Sequence, residues 1–195
     1  MRARRRGALV DNPAYHRELQ HRKARAVRVL SRKYSRLLRS SNTLMIELFD
    51  DFRDLLIELY DAGAKFVVLG GHAVAFHGHP RATKDLDVLV EPDPENARRV
   101  YAALAAFGAP LASFEVGVED FSSYDGILQL GVAPRRIDII NPADGITFAE
   151  AVAGGETFEI EGRPMPIIGR SALIKNKRAA GREQDAADVK ALEGS

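Results

Sequence analysis

The chain has no cysteine. Disulfides and thiolate metal sites are thereby excluded, which suits a reducing compartment, and a cytoplasmic protein is expected. No apolar run approaches the roughly 18 residues of a membrane span, and no apolar stretch follows the basic N-terminus as a secretion signal requires, so no membrane partner is expected. Internal repeats and low-complexity tracts are lacking as well. Net charge is almost lacking, at +1, but that value hides a partition. Residues 1–42 hold thirteen Lys or Arg against Asp11 and Glu18, a charge of +11, while the remainder holds 15 basic and 25 acidic residues, a charge of −10. Such asymmetry predicts a basic arm on an acidic domain. A chain of 195 residues is long enough to bury a proper core.

What is there is organised around residues 66–91, FVVLGGHAVAFHGHPRATKDLDVLVE. The apolar, β-branched run from Phe66 to Leu69 stops at Gly70-Gly71, a short helical stretch follows, and the chain returns as Asp85-Leu86-Asp87 leading Val88-Leu89-Val90. Strand, turn, helix, strand is the expected order. Side chains alternate along a strand, so Asp85 and Asp87 project to one side at its start. Two carboxylates held that way repel unless a cation lies between them, and Mg²⁺ prefers a few carboxylates plus substrate phosphates to a cage made wholly of protein. Gly70 and Gly71, lacking Cβ atoms, allow backbone N–H groups to approach a phosphate, with the N-terminus of the next helix behind them. One stretch supplies a phosphate seat and a metal seat.

Gly70-Gly71, thirteen residues and then Asp85-x-Asp87 resembles the signature of polymerase-beta type nucleotidyltransferases. The stretches GGHAVAFHGHPRATKDLDVLV, GVAPRRIDIIN and LIKNKRAAGREQDAADVKALE are similar, in order and spacing, to small bacterial nucleotidyltransferases, including a family related to AbiEii/AbiGii-type toxins. The resemblance covers roughly residues 45–193. It implies an α/β (α+β) fold of the polymerase-beta-like type, a mixed sheet with flanking helices, over 45–195, preceded by a basic extension over 1–44. It also implies that Asp85 and Asp87 bridge two Mg²⁺ ions, with Mn²⁺ as a substitute, and that Asp138 joins them on one metal. An acceptor hydroxyl would then attack the α-phosphate of an NTP in line and release pyrophosphate.

In the extension, Asn12-Pro13 reads as a cap and first helical position, and Val27, Leu30, Tyr34, Leu37 and Leu38 fall near one face, so 13–39 reads as a basic amphipathic helix. Three readings stay open for it: an RNA-binding or anionic-surface arm, a solvated or disordered segment, and residues ahead of a true start near Met45. From Met45, apolar residues recur every three or four positions to Tyr60, a scaffold helix stopped by Gly63. Glu95 to Phe107 predicts a second helix closed by Gly108. Residues 111–126 carry no clear pattern. Ile127 to Leu130 and Ile137 to Ile140 predict strands, Thr147 to Val152 a short helix, and 156–161 with 165–168 a hairpin across Gly162-Arg163. Two helices, 171–179 and 184–192, are expected to flank Gly181.

Asp138, alone among Ile137, Ile139 and Ile140, is either paired in the core or the third metal ligand. Ion pairs to Lys84, Arg135 or Arg136 are the bland alternative for all three acids. In the tail, the similar families carry a Lys…Arg…Asp pattern. Lys177 or Lys175 is thereby expected to neutralise a triphosphate, and Arg182 or Asp185 to shape the nucleotide pocket; a solvated charged helix is the alternative. Arg81 and Thr83 either touch phosphate or stabilise the loop before Asp85. His72, His77 and His79 do not suggest zinc, because His72 and His77 miss the i, i+4 spacing of a helical pair.

The resemblance makes transfer of NMP to a tRNA or protein hydroxyl the leading expectation, with a cognate toxin or antitoxin as partner. An antitoxin-like nucleotide-binding module acting by partner binding is the alternative. A third is aminoglycoside-type modification, for which Glu115, Glu119, Asp120 and Asp125 would have to form an acidic pocket.

Overall fold

The computed structural model describes residues 48–122, 126–132 and 135–194; the basic extension expected over 1–44 lies outside them. The fold is α/β, a six-stranded mixed sheet with flanking helices, as expected. Strands β1 (Phe66–Leu69), β2 (Asp85–Val90), β3 (Gly126–Leu130), β4 (Arg136–Asn141), β5 (Glu156–Ile160) and β6 (Arg163–Ile167) lie in the order β3-β4-β2-β1-β6-β5. β2 runs parallel to β4 and antiparallel to β1, and the outer pairs β3-β4 and β5-β6 are antiparallel. All four residues of β1 are buried, which suits a central strand with apolar surface on both sides.

Helix α1 (Asp50–Asp61) forms because Phe52, Leu55, Leu56 and Leu59 repeat at i, i+3, i+4 and i+7 and are fully buried. It starts later than the apolar pattern suggests. Phe49 is extended, and Asp50 and Asp51 occupy the first turn, where carboxylates favour the positive end of the helix dipole. At the other end Gly63 N–H donates to Tyr60 O and Ala64 N–H to Leu59 O, a Schellman closure. Helix α2 (Gly70–Phe76) lies on β1 and β2, and α3 (Pro94–Phe107) packs against α1. Asp93 caps α3 by accepting from Glu95 N and Asn96 N, with Pro94 in the first turn. The stretch after α3 that showed no pattern makes two 3₁₀ turns, Leu111–Phe114 and Val118–Phe121, which bury Leu111 and Phe121. Beyond the short α4 (Phe148–Val152), helices α5 (Arg170–Ala180) and α6 (Glu183–Glu193) pack on each other, and α5 also touches α2. Among the described residues no helix is long and apolar enough to cross a membrane.

The β5-β6 turn falls one residue earlier than expected, at Glu161-Gly162. Both residues have positive φ, 50° and 76°, the conformation a two-residue hairpin turn takes to match the twist of its strands. β6 is an unusual inner strand because Pro164 and Pro166 have no N–H to donate. Its pairing with β1 is confined to Val68 opposite Ile167, extended by Ile168 N–H donating to Val68 O at 2.9 Å.

Asn96 fastens α3 to the sheet and is only 1% exposed. Its Oδ1 accepts from Lys65 N at 2.6 Å, and its Nδ2 donates to Lys65 O and Glu91 O, both at 2.9 Å. Asn96→Ala removes the partner of the Lys65 N–H, while Lys65 O still accepts from Glu91 N and Glu91 O from Asp93 N. A loss of about 2 kcal/mol in urea denaturation is expected, and a loss under about 0.5 kcal/mol would show that water replaces the amide there.

Candidate functional site

Three acids meet on one face of the sheet. Asp85 and Asp87 are two apart on β2, and β4 runs parallel beside it with Asp138 directly opposite Asp87. The apolar neighbours Leu86, Val88, Ile137 and Ile139 are buried and fix the register. Arg136, two residues before Asp138 on the same strand, shares its face. Its guanidinium lies between carboxylates: Nε donates to Asp138 Oδ1 at 2.9 Å, and Nη2 donates to Asp138 Oδ2 at 3.0 Å and also to Asp85 Oδ2. Gln129, opposite Asp138 on β3, donates more weakly at 3.3 and 3.4 Å.

Asp87 meets the Arg136 charge through its field. Burial, then the charges of Asp85 and Asp138, push its pKa up to about 7 against the opposing fields of Arg136 and Arg182. Asp138 is raised too, by burial, which outweighs Arg136 and Gln129. Burial works against the charge of Arg136, but Asp138, Asp85 and Asp87 outweigh it and raise its pKa. The cluster holds more negative charge than its single guanidinium balances.

Behind the acids stands the glycine turn. Gly70 has φ +67°, and a Cβ there would stand 1.8 Å from Asp87 Oδ2. Any side chain would displace that carboxylate. A Cβ on Gly71 would stand 2.5 Å from Thr83 Oγ1, and the same hydroxyl donates to Asp85 O at 3.2 Å and Asp85 Oδ1 at 3.3 Å. Thr83 thus rests on one seat residue and steadies the other. His72, next in α2, is 5% exposed, with Nε2 unpartnered and its ring edge-on to Phe52. Burial lowers its pKa to about 4, so it is neutral at pH 7.

The tail comes to the same side through a buried ion network. Arg81, in the loop before β2, makes a two-pronged pair with Asp188 at 2.8 and 2.9 Å. Lys177 Nζ lies 2.9 Å from Asp185 Oδ1 and 2.7 Å from Asp188 Oδ2, with side chains 3–8% exposed throughout. Burial alone would raise the Asp188 pKa; the hydrogen bonds from Arg81 and Lys177 outweigh it and lower it. Arg182 caps α6 through its N–H to Asp185 Oδ2 at 3.2 Å, while its side chain is 77% exposed and 3.8 Å from that carboxylate. Its field reaches Asp87. Lys175 points elsewhere, to Glu150 Oε1 on α4 at 2.6 Å on the surface. Of the acids weighed for a polycation pocket, Asp120 accepts from Gly117 N at 2.8 Å within its own turn, and Asp125 lies outside the described residues.

The structure therefore brings Gly70, Gly71, Thr83, Asp85, Asp87 and Asp138 together. It joins Lys177 and Asp185 to Arg81 through Asp188, and leaves Arg182 exposed, with its field reaching Asp87. Asp188, His72 and Arg136 received no functional part from the sequence. For Arg136 the signal was available, since a residue two before Asp138 on a strand must face the same way.

Among the described residues, no three or more His, Asp or Glu are gathered as they stand to hold a metal ion. Arg136 lies between two of the three acids, Asp85 and Asp138. The donor set itself fits a hard divalent cation: three carboxylates on one face of the sheet and no soft ligand.

No family model matches the chain, and no curated protein does. Among solved structures, one described as a "putative nucleotidyltransferase" from Thermotoga maritima is similar over 73% of this chain and 89% of that chain, with 13% identity and a TM-score of 0.47. A likeness of that degree does not identify a function.

Two outcomes test the site's electrostatics. Asp87 keeps its proton to about pH 7 when folded, against an ordinary 3.8; the folded state then binds more protons there than the unfolded chain, and this group's contribution to stability falls as pH rises from about 4 to about 7. His72, lowered from 6.5 to about 4, works in the opposite sense, losing stability as pH falls through that range. Asp87→Asn removes the first effect alone. Its stability relative to wild type should rise with pH across that window, by at most about 4 kcal/mol; a pH-independent difference in urea titrations would contradict the raised pKa. Lys177→Met leaves Asp185 and Asp188 buried without their shared cation, and a loss of about 3–5 kcal/mol is expected in the same assay.

Proposed function

We propose that this chain is a metal-dependent nucleotidyltransferase that moves NMP from an NTP to a hydroxyl acceptor. The observation that carries the reading is the register of Asp87 opposite Asp138 on parallel strands, with Asp85 on the same face and the Asp87 carboxylate laid against Gly70. The resemblance of these stretches to AbiEii/AbiGii-related nucleotidyltransferases supports it, and makes a tRNA or protein hydroxyl in the cytoplasm the acceptor we favour, in a toxin–antitoxin setting. Mg²⁺ ions, or Mn²⁺, would be held by Asp85, Asp87 and Asp138 and would supply charge neutralisation and activation of the acceptor hydroxyl.

The chain's own residues would do the rest by positioning. Gly70 and Gly71 keep the phosphate approach clear of side chains. Thr83 orients Asp85. Arg182, exposed and within electrostatic reach of Asp87, is the tail residue we assign to the triphosphate, with Lys177, Asp185 and Arg81 as the floor that fixes its helix. Lys175, engaged with Glu150, receives no part. In-line attack by the acceptor oxygen on the α-phosphate breaks the bond to pyrophosphate, and most of the rate gain comes from alignment and charge neutralisation.

One observation favours a second reading. Arg136 satisfies Asp85 and Asp138 as the protein stands, which would suit an antitoxin-like module that acts by binding a partner. The experiment that separates the two is incubation of purified protein with Mg²⁺ and each α-labelled NTP, with total tRNA or cell lysate. Label should pass to RNA or protein with wild type, and Asp85→Asn/Asp87→Asn and Asp138→Asn should lower transfer by about a thousandfold or more. Nucleotide binding without transfer in any lysate would establish the binding module, and transfer undiminished in both variants would place the chemistry elsewhere.

A further inference from the structure

Arg136 occupies the position that the proposed function gives to a metal, and it belongs to the chain. We propose that Arg136 is an intrinsic counter-ion that holds Asp85 and Asp138 closed to free divalent metal and is exchanged for the metal–nucleotide complex, pairing then with the triphosphate. The inference rests on the nucleotidyltransferase reading, and it adds an order of binding and a role for a residue outside the acidic set.

Geometry gives three reasons. First, Arg136 shares the sheet face with all three acids through the two-residue period of β4 and the parallel pairing of β2 with β4. Its guanidinium therefore swings over the site by side-chain rotation alone, with no strand shift. Second, it contacts Asp138 through both Nε and Nη2 and bridges to Asp85 across the strand pair. Metal entry at these two carboxylates has to break hydrogen bonds to a delocalised cation that cannot lose its charge by deprotonation. Third, the same planar fork that grips a carboxylate with two donors grips a phosphate equally well. An arriving triphosphate offers the displaced guanidinium a partner of its own kind. A bare metal ion offers none, so it must expel a cation into water beside itself.

The consequence is a coupling between ligands. Metal alone should bind weakly, nucleotide alone should meet a closed set of acids, and the two together should bind far better than either predicts. By linkage, any factor by which nucleotide tightens metal is the factor by which metal tightens nucleotide. Arg136 thus acts as a positioning residue, not as a group that reacts.

The test is a Mn²⁺ titration of the full chain followed by electron paramagnetic resonance, with and without a non-hydrolysable NTP, on wild type, Arg136→Gln and Arg136→Lys. Without nucleotide, Arg136→Gln should bind Mn²⁺ at least tenfold more tightly than wild type, and its enhancement by nucleotide should shrink by a comparable factor. Arg136→Lys, which restores the charge, should return part of the suppression. Because Arg136→Gln leaves three acids uncompensated and so less stable, the rise in melting temperature on adding Mn²⁺ gives a second readout and should exceed that of wild type. Equal or weaker Mn²⁺ binding by Arg136→Gln, with nucleotide-dependent Mn²⁺ binding intact in wild type, overturns the exchange and leaves the nucleotidyltransferase reading standing. Mn²⁺ binding by no variant under any condition overturns both.

Discussion

Like charges on one face of a sheet set the terms for everything around them. Asp85, Asp87 and Asp138 are drawn together by strand register, which apolar residues on the other side of the same strands impose. The protein cannot relax the repulsion by moving the strands without losing that burial, so it must supply positive charge or bind a proton. It does both, with Arg136 between two acids and a proton retained on Asp87 up to about pH 7. Gly70 answers the same constraint sterically, leaving room for a carboxylate where a Cβ would stand 1.8 Å away.

The second layer of the site solves a different problem, that of attaching a C-terminal helix pair to a sheet it reaches late in the chain. Arg81 and Asp188 are separated by 107 positions in sequence, and their two-pronged pair, shared with Lys177, joins the loop before β2 to α6. Buried ion pairs seldom add much net stability, because desolvation offsets their attraction, but removing one member leaves a charge with nowhere to go. The network therefore fixes position more than it adds energy, and the exposed side chain of Arg182 inherits that position.

The parts legible in the sequence were those with a short period or a short motif. The strands around Asp85 and Asp138, α1 through its Phe52 to Leu59 stripe, and the Gly181 break between α5 and α6 were all expected, because each rests on local spacing. The 3₁₀ turns over 111–121 were not, since Leu111 and Phe121 are buried by tertiary packing, the second turn against α3, rather than placed by any repeat of their own. The ion pairs of Lys177 and Arg81 were equally hidden: a charged residue looks the same in sequence whether solvent or a distant carboxylate awaits it. Arg136 lay between these cases, with its face readable from the two-residue period and its partners readable only from the pairing of β2 with β4.

The prolines of β6 have a mechanical consequence. With Pro164 and Pro166 unable to donate, the backbone joins β1 to β6 over a very short length, so the sheet carries a seam one strand away from the acids. On one side of that seam lie the carboxylates and the glycine turn; on the other, the β5-β6 hairpin runs directly into α5 and Lys177. The two halves of the site are held in step by side chains, by Arg81 on Asp188 above all, and hardly by main-chain ladder.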